Sequence, residues 1–286
     1  MIVALVLIAG GAAAGVFGSL LGLGGGILIV PLLTLGFGRP LREAVAVSLV
    51  CVIVTSSAAA GAYLRGRVAN LRLGTVLALF TATGALAGAL LAFVVPDRAV
   101  AGLFALLLAY VALSMGRAGL RTSRPASAAP DPSGAGEAVA IAAEPSAAGP
   151  GPERAGRLDG PDYRVRRLVP ASNASLGAGV IAALLGVGGG VINVPTMNLM
   201  MGVPLRVAAA TSNLMIGVTA VASAIIYLLR GGLDPYLAGP TALGVFVGAS
   251  VGARVAHRVD VRVLRLMFVV VLTWTTYQMA RRALGI

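Results

Sequence analysis

The chain carries the same interrupted apolar segment twice. Gly22-Leu-Gly-Gly-Gly-Ile-Leu-Ile-Val-Pro31 is followed 164 residues later by Gly186-Val-Gly-Gly-Gly-Val-Ile-Asn-Val-Pro195. Glycine and proline are disfavoured inside helices. In a membrane, such a break is tolerated only where protein or a water-filled cavity satisfies the freed backbone groups. If the chain spans a membrane, paired breaks in its two halves indicate a transporter's binding site.

The composition is that of an integral membrane protein. Hydrophobic residues make up 58% of the chain and charged residues 11%, and the mean hydropathy is +0.95. This leaves too little polar surface to coat a soluble protein of 286 residues. Continuous apolar runs of about 20 residues, the length that crosses a bilayer core, indicate helices rather than the alternating strands of a barrel. They lie near residues 42–63, 73–95, 98–116, 205–229, 236–256 and 261–280.

Residues 117–170 differ in character from the apolar segments on either side. They hold eight of the fifteen prolines and six of the ten acidic residues, with serine, alanine and glycine between them. This composition is typical of a solvated, disordered linker. We therefore divide the chain into a first membrane repeat at residues 1–116, a cytoplasmic linker at 117–170 and a second membrane repeat at 171–286.

Each repeat combines a broken helix pair with three transmembrane helices. The helix after each break, at residues 27–36 or 191–201, measures only about 15 Å, which is too short for a core of about 30 Å. Residues 1–38 and 172–202 are therefore predicted to form re-entrant hairpins that return to the side they entered. Three crossings per repeat then make the second repeat inverted relative to the first. The predicted fold is an all-α polytopic membrane protein of two inverted repeats.

The distribution of arginine supports inversion. All 22 basic residues are arginine, and inverted repeats gather sixteen of them on one side, whereas parallel repeats gather fourteen. Basic residues favour the cytoplasmic side, so the linker is predicted to be cytoplasmic. The arginines lie mainly at helix ends and in the linker, without the interleaved aromatic residues of single-strand-binding proteins. We therefore predict contact with the lipid bilayer and none with nucleic acid.

The two glycine turns are predicted to share one anion site. A helix that begins after such a turn has unpaired N–H groups and the positive end of its dipole at depth, where a small oxyanion can accept hydrogen bonds. Polar side chains beside the breaks add donors, and more of them lie in the second repeat. The predicted substrate-binding residues are Gly24, Gly25, Gly26, Ser48, Gly188, Gly189, Gly190, Asn193, Thr211, Ser212 and Asn213, with Pro31 and Pro195 as structural helix breaks.

A structural interpretation stays open for several of these residues. Buried amides and hydroxyls can be each other's partners across helices. Small residues four apart let membrane helices approach closely, which is the role we expect for the pairs Gly11/Gly15, Gly18/Gly22, Gly84/Gly88 and Gly248/Gly252.

Other chemistries fit the sequence poorly. The third glycine of a dinucleotide-binding loop would have to stand at Ile27, and no Gly-Lys-Ser/Thr follows either break. An intramembrane enzyme that used Ser48 or Ser212 would need a base at depth, whereas the single histidine, His257, lies in a predicted loop. We therefore predict no catalytic residue, metal or cofactor. A structural or assembly role in a membrane complex is the first alternative, and an intramembrane enzyme the second.

The chain resembles the TauE/SafE family of sulfite and organosulfonate exporters. The resemblance rests on the two Gly-x-Gly-Gly-Gly-x-x-x-x-Pro motifs, each followed by an Ala-x-x-x-Ser element, at Ala44 to Ser48 and Ala208 to Ser212. It implies a transporter in the bacterial inner membrane that exports sulfite or another small sulfur-containing anion. The chain departs from the family in its long linker and in the apolar Val47 and Leu49 beside Ser48. The oligomeric state, including a homodimer, stays open.

Overall fold

The computed structural model describes residues 2–20, 25–65, 69–121, 165, 167–255 and 261–284. These residues form ten α-helices and two short π-helices, so the predicted all-α fold class is confirmed. The first half contains α1 (Ile2–Leu20), α2 (Gly26–Pro31), π1 (Leu32–Gly36), α3 (Leu41–Arg65), α4 (Leu71–Leu91) and α5 (Asp97–Arg121). The second contains α6 (Leu168–Leu185), α7 (Gly190–Pro195), π2 (Thr196–Met200), α8 (Leu205–Leu229), α9 (Pro235–Val255) and α10 (Val261–Leu284).

The predicted linker lies largely outside the described residues. Helix α5 continues to Arg121 and α6 begins at Leu168, so helix extends into both edges of the segment that we assign to the linker. The helices α3, α4, α6 and α8 each contain an apolar window long enough to cross a bilayer. The chain is a multi-pass membrane protein.

Contacts at the helix ends fix the direction of the central helices. Arg39, just before α3, pairs with Asp234, just after α8, at 3.1 Å. We call the end of the molecule that carries this pair the upper end, and the opposite end the lower end. Beside this pair, Arg42 Nη2 donates to the carbonyl of Val95, just after α4, at 3.1 Å. At the lower end, the Asn70 N–H, just before α4, donates to Thr211 Oγ1 near the start of α8. Helix α3 therefore runs from the upper to the lower end, whereas α4 and its neighbour α8 run the opposite way.

The two halves pack reciprocally. Helix α1 of the first half packs along α9 of the second, and α6 of the second packs along α4 of the first. In both helix pairs the contact is made at glycines. A Cβ on any of the seven glycines named in the next sentence would meet the backbone of the facing helix. The predicted packing role is confirmed for Gly11, Gly15, Gly84, Gly88 and Gly248, and the structure adds Gly179 and Gly244.

The prolines change the type of helix without reversing the chain. Pro31 has φ −60° and ψ −40°, an ordinary helical conformation, and Pro195 has φ −58° and ψ −39°. Because proline has no N–H to donate, the α-helical ladder is interrupted there, and the helix continues as π1 or π2. The α-helical segments α2 and α7 end at these prolines, and the left-handed turns lie at the preceding glycines, Gly25 and Gly189.

Candidate functional site

Each glycine turn has a backbone conformation that suits glycine. Gly25, immediately before α2, has φ +72°, and Gly189, immediately before α7, has φ +77°. Both lie in the left-handed region, which is costly for residues with a Cβ. Both turns are buried. Gly24, which we predict to bind substrate, lies outside the described residues.

The two turns touch each other in the interior of the bundle. Ser48 Oγ on α3 lies 2.7 Å from the carbonyl oxygen of Gly186 and 3.1 Å from that of Gly26. Its single proton can be donated to either oxygen, so one side chain connects the glycine segments of both halves. A Cβ on Gly26 would stand 2.8 Å from the same Gly186 oxygen. The turns are therefore in direct backbone contact.

Two apolar side chains close around this contact. Val52 on α3 and Ile216 on α8 occupy equivalent positions of the two repeats. A Cβ on Gly188 would stand 2.8 Å from Val52 Cγ1 and 2.7 Å from Ile216 Cγ2. Gly188 is therefore tightly packed between a valine of the first half and an isoleucine of the second.

Two polar side chains without hydrogen-bond partners lie beside the glycine turn of the second half. Among the described residues, the other buried side-chain atoms without a hydrogen bond are Ser175 Oγ on α6 and Arg42 Nε. Asn193 and Ser212 are each 1% exposed. Within the described part of the chain, Asn193 Nδ2, Asn193 Oδ1 and Ser212 Oγ have no hydrogen-bond partner. Asn193 Nδ2 lies 3.6 Å from where a Cβ would stand on Gly189, and Ser212 Oγ lies 3.7 Å from the same point on Gly190. Both side chains thus flank the start of α7.

These unpartnered groups need a physical explanation. Leaving a buried donor or acceptor unsatisfied costs about 1–3 kcal/mol, and most buried polar groups in proteins are paired. The equivalent positions in the first half avoid this cost, because Ile29 is apolar and Ser48 is hydrogen-bonded. Unpaired polar groups beside a glycine turn are the features expected of a ligand site.

Two other predicted residues serve helix contacts. Thr211 Oγ1 accepts a hydrogen bond from the Asn70 N–H at 3.0 Å, and the Thr211 methyl group faces Gly74 of α4. The backbone carbonyl of Asn213 accepts from Ser56 Oγ of α3 at 2.6 Å. The structure thus brings Gly25, Gly26, Ser48, Gly188, Gly189, Gly190, Asn193 and Ser212 together, and it places Thr211 against α4.

The upper end carries charged pairs that the sequence did not predict. Arg39 pairs with Asp234 of the other half at 3.1 Å and with Glu43 at 3.4 Å, and Arg42 Nε lies 3.0 Å from Asp97 Oδ1. Their positions at helix ends in the sequence predict only carboxylates that are solvated or that stabilise helix dipoles. Their partners became visible only in the tertiary structure, because Arg39 and Asp234 are 195 residues apart.

The chemistry available at the glycine turns is that of neutral hydrogen bonding. Apart from the Tyr227 hydroxyl, the buried polar side chains that the structure describes are serine, threonine or asparagine. Across those same residues, no group of three histidine, cysteine, aspartate or glutamate side chains could hold a metal ion. The arrangement can bind a small polar solute through backbone N–H, hydroxyl and amide groups.

The chain is similar to a known protein family and to a membrane transporter. The family model described as sulfite exporter TauE/SafE matches residues 7–279. The probable membrane transporter protein YunE of Bacillus subtilis (strain 168) is 24% identical over 278 residues, which cover 93% of each chain. No solved structure matches the chain.

Proposed function

Because the chain belongs to the sulfite exporter TauE/SafE family, whose members are membrane transporters rather than enzymes, we propose that it exports a small sulfur-containing anion. The substrate is sulfite or an organosulfonate, and it crosses the membrane between the two glycine turns. The protein lies in the bacterial inner membrane. Residues 117–170 form the cytoplasmic linker between membrane repeats at 1–116 and 171–286.

The observation that carries this proposal is the pair of unpartnered side chains at the start of α7. Asn193 and Ser212 are buried without hydrogen bonds in the described structure, and a bound oxyanion would supply partners for their donors. Backbone N–H groups at Gly25, Gly26, Gly189 and Gly190 add donors that need no positive side chain.

The helix directions support an inverted repeat. Helix α3 and its counterpart α8 run in opposite directions, and their glycine turns meet in the interior. In transporters built this way, the substrate site lies near the midplane, and one repeat rocks against the other to expose it to each side in turn. The closed contact between Ser48, Gly26 and Gly186 is then an occluded state that has to separate during transport.

Membrane voltage favours the outward direction. Moving one negative charge out of an inside-negative cell releases about 2.3 kcal/mol per 100 mV, so efflux needs no coupling ion. Helix α5 begins at the upper end and α6 runs parallel to α4, so the lower end is the side on which we place the linker and most of the arginines. Under the positive-inside rule this end faces the cytoplasm. The upper end then faces outward.

The test is flux through the purified protein in lipid vesicles. We expect radiolabelled sulfite to move faster than in empty vesicles, to respond to an imposed voltage and to move without a proton or sodium gradient. Labelled taurine, whose ammonium and sulfonate charges cancel, should also move faster than in empty vesicles, but its flux should not depend on voltage. Labelled sulfate and thiosulfate define selectivity. Absolute dependence on either gradient would overturn the uncoupled route, and no flux of any of these anions would overturn the proposed substrate class.

A further inference from the structure

The unpartnered groups at the start of α7 include an acceptor as well as donors. An asparagine side chain offers two N–H donors on Nδ2 and two lone pairs on Oδ1, and in Asn193 neither atom has a partner in the described structure. The Ser212 hydroxyl, 1% exposed, can also donate and accept. A ligand that only accepts hydrogen bonds would satisfy Nδ2 and leave Oδ1 unpaired.

The surroundings also limit the charge of the ligand. The buried polar side chains of the described residues are uncharged, and the glycine turns are enclosed by Val52 and Ile216. The cost of moving an ion out of water rises with the square of its charge, and burial without a counter-charge is expensive even for one charge. A doubly charged oxyanion would meet this cost without a cation, and its oxygens would face the lone pairs of Asn193 Oδ1.

Resting on the proposed function, we infer that this site selects sulfur oxyanions whose acidic group carries one negative charge and which bring an O–H or N–H of their own. Hydrogen sulfite and an ammonium-bearing sulfonate meet both conditions. Sulfite dianion and sulfate fail both. A plain alkyl sulfonate such as methanesulfonate meets only the first, because it has no proton to donate to Asn193 Oδ1.

The first experiment separates the two charge states of sulfite in vesicles that contain the whole wild-type chain. With total sulfite fixed, the initial rate should follow the hydrogen sulfite fraction and fall about tenfold per pH unit above the ionisation that yields the dianion. Methanesulfonate keeps one charge throughout this range and is therefore the control for effects of pH on the protein itself. Its slower flux should stay constant. Sulfate should not be carried.

The second experiment tests the donor requirement. Asn193→Leu removes both hydrogen-bonding atoms while keeping a side chain of similar size. In wild type, hydrogen sulfite should move at least tenfold faster than methanesulfonate, and in Asn193→Leu this ratio should approach one. A ratio does not depend on how much variant protein folds. The control is Ser223→Ala, since the Ser223 hydroxyl donates within its own helix to Thr219, and it should leave the ratio unchanged.

The outcomes distinguish this inference from the function on which it rests. If sulfite flux follows total sulfite, if sulfate is carried as fast, or if Asn193→Leu keeps the wild-type ratio, the selectivity inference is overturned while the exporter proposal stands. If no sulfur anion moves at any pH, the exporter proposal fails and the inference fails with it.

Discussion

At the scale of single residues, the duplication provides a matched pair of serines with different surroundings. Ser48 Oγ lies within hydrogen-bond distance of backbone carbonyls at both glycine turns and can donate to either one, whereas Ser212, at the equivalent position, has no partner in the described structure. Ser48→Ala should lower the free energy of unfolding by about 1–3 kcal/mol, because it removes the hydrogen bond to a buried backbone carbonyl. Ser212→Ala should leave stability unchanged or slightly higher and should reduce sulfite flux.

Thermal unfolding in detergent and vesicle flux measure these two effects. Ser223→Ala, on the same helix as Ser212, tests whether loss of any buried hydroxyl lowers flux. Equal losses of stability in the Ser48 and Ser212 variants would contradict the asymmetric arrangement of the two turns.

A second prediction concerns the closeness of the turns. A Cβ on Gly26 would stand 2.7 Å from Val52 Cγ2 and 2.8 Å from the Gly186 oxygen, and backbone cannot move aside as a flexible side chain can. Gly26→Ala should therefore destabilise the protein by about 1–3 kcal/mol. Gly177→Ala, with nothing within 4 Å of the new methyl group, should be neutral or stabilising by up to about 1 kcal/mol. Thermal unfolding of both variants checks this, and the same melting temperature for both would refute the tight contact.

The glycine turns could be predicted from the sequence, whereas the contacts of individual side chains could not. The motif is local, and three glycines before a proline indicate an interrupted helix wherever they occur in an apolar segment. The role of Ser48 depends on Gly186, which is 138 residues away. Thr211 is predicted to bind substrate because it opens the helix after the hairpin, and this stays a prediction. Its contacts with α4 could not be predicted, although one residue along a helix turns a side chain by about 100° relative to Ser212.

At the scale of helices, glycine determines which pairs can approach closely. Helix α9 carries a matched pair: a Cβ on Gly248 would meet the backbone of Ala12 on α1, whereas one on Gly239 would meet nothing within 4 Å. Gly248→Leu should separate α1 from α9 and lower the yield of folded, monodisperse protein severalfold. Gly239→Leu should be tolerated. Size-exclusion chromatography of the two detergent-purified variants measures this, and equal behaviour would argue against close packing of α1 on α9.

The helices themselves follow from local sequence, but the π-helices do not. Apolar runs of about 20 residues predict spanning helices because lipid requires every backbone group to be satisfied within the segment. The regions predicted at 205–229 and 236–256 coincide closely with α8 and α9. The π-helices begin directly after the prolines, each of which lacks an N–H. Whether the helix ends there or continues with the wider i→i+5 hydrogen bonds of a π-helix depends on the neighbouring helices. Sequence alone therefore predicted breaks at Pro31 and Pro195.

At the scale of the whole molecule, the two halves are joined by an ion pair at the upper end and by a neutral hydrogen bond at the lower end. The upper end joins the halves through Arg39 and Asp234, and the lower end joins them through Asn70 and Thr211. Exposed ion pairs contribute about 0–1 kcal/mol, so the upper contact adds little stability, and a conformational change can break it readily. Asp234→Asn should therefore shift the unfolding temperature by only a few degrees, and a larger loss would mean that the pair is essential to the fold.

The orientation of the repeats can be tested by labelling single cysteines. Cys51 is the single cysteine of the sequence, and it is buried. The Cys51→Ala variant therefore provides a cysteine-free background. Leu71, the first residue of α4, lies at the lower end and is 54% exposed. Tyr236, the second residue of the corresponding helix α9, lies at the upper end and is 88% exposed. In inverted repeats, these two sites face opposite sides of the membrane.

A membrane-impermeant maleimide applied to intact cells should therefore react with Tyr236→Cys and spare Leu71→Cys until the membrane is permeabilised. Val94→Cys, at the upper end and 80% exposed, should behave like Tyr236→Cys, because α4 carries the chain from the lower to the upper end. If Leu71→Cys and Tyr236→Cys react from the same side, the repeats are parallel. The two glycine turns would then enter the membrane from one direction. The proposed rocking of one repeat against the other could not then open the contact at Ser48 to each face in turn.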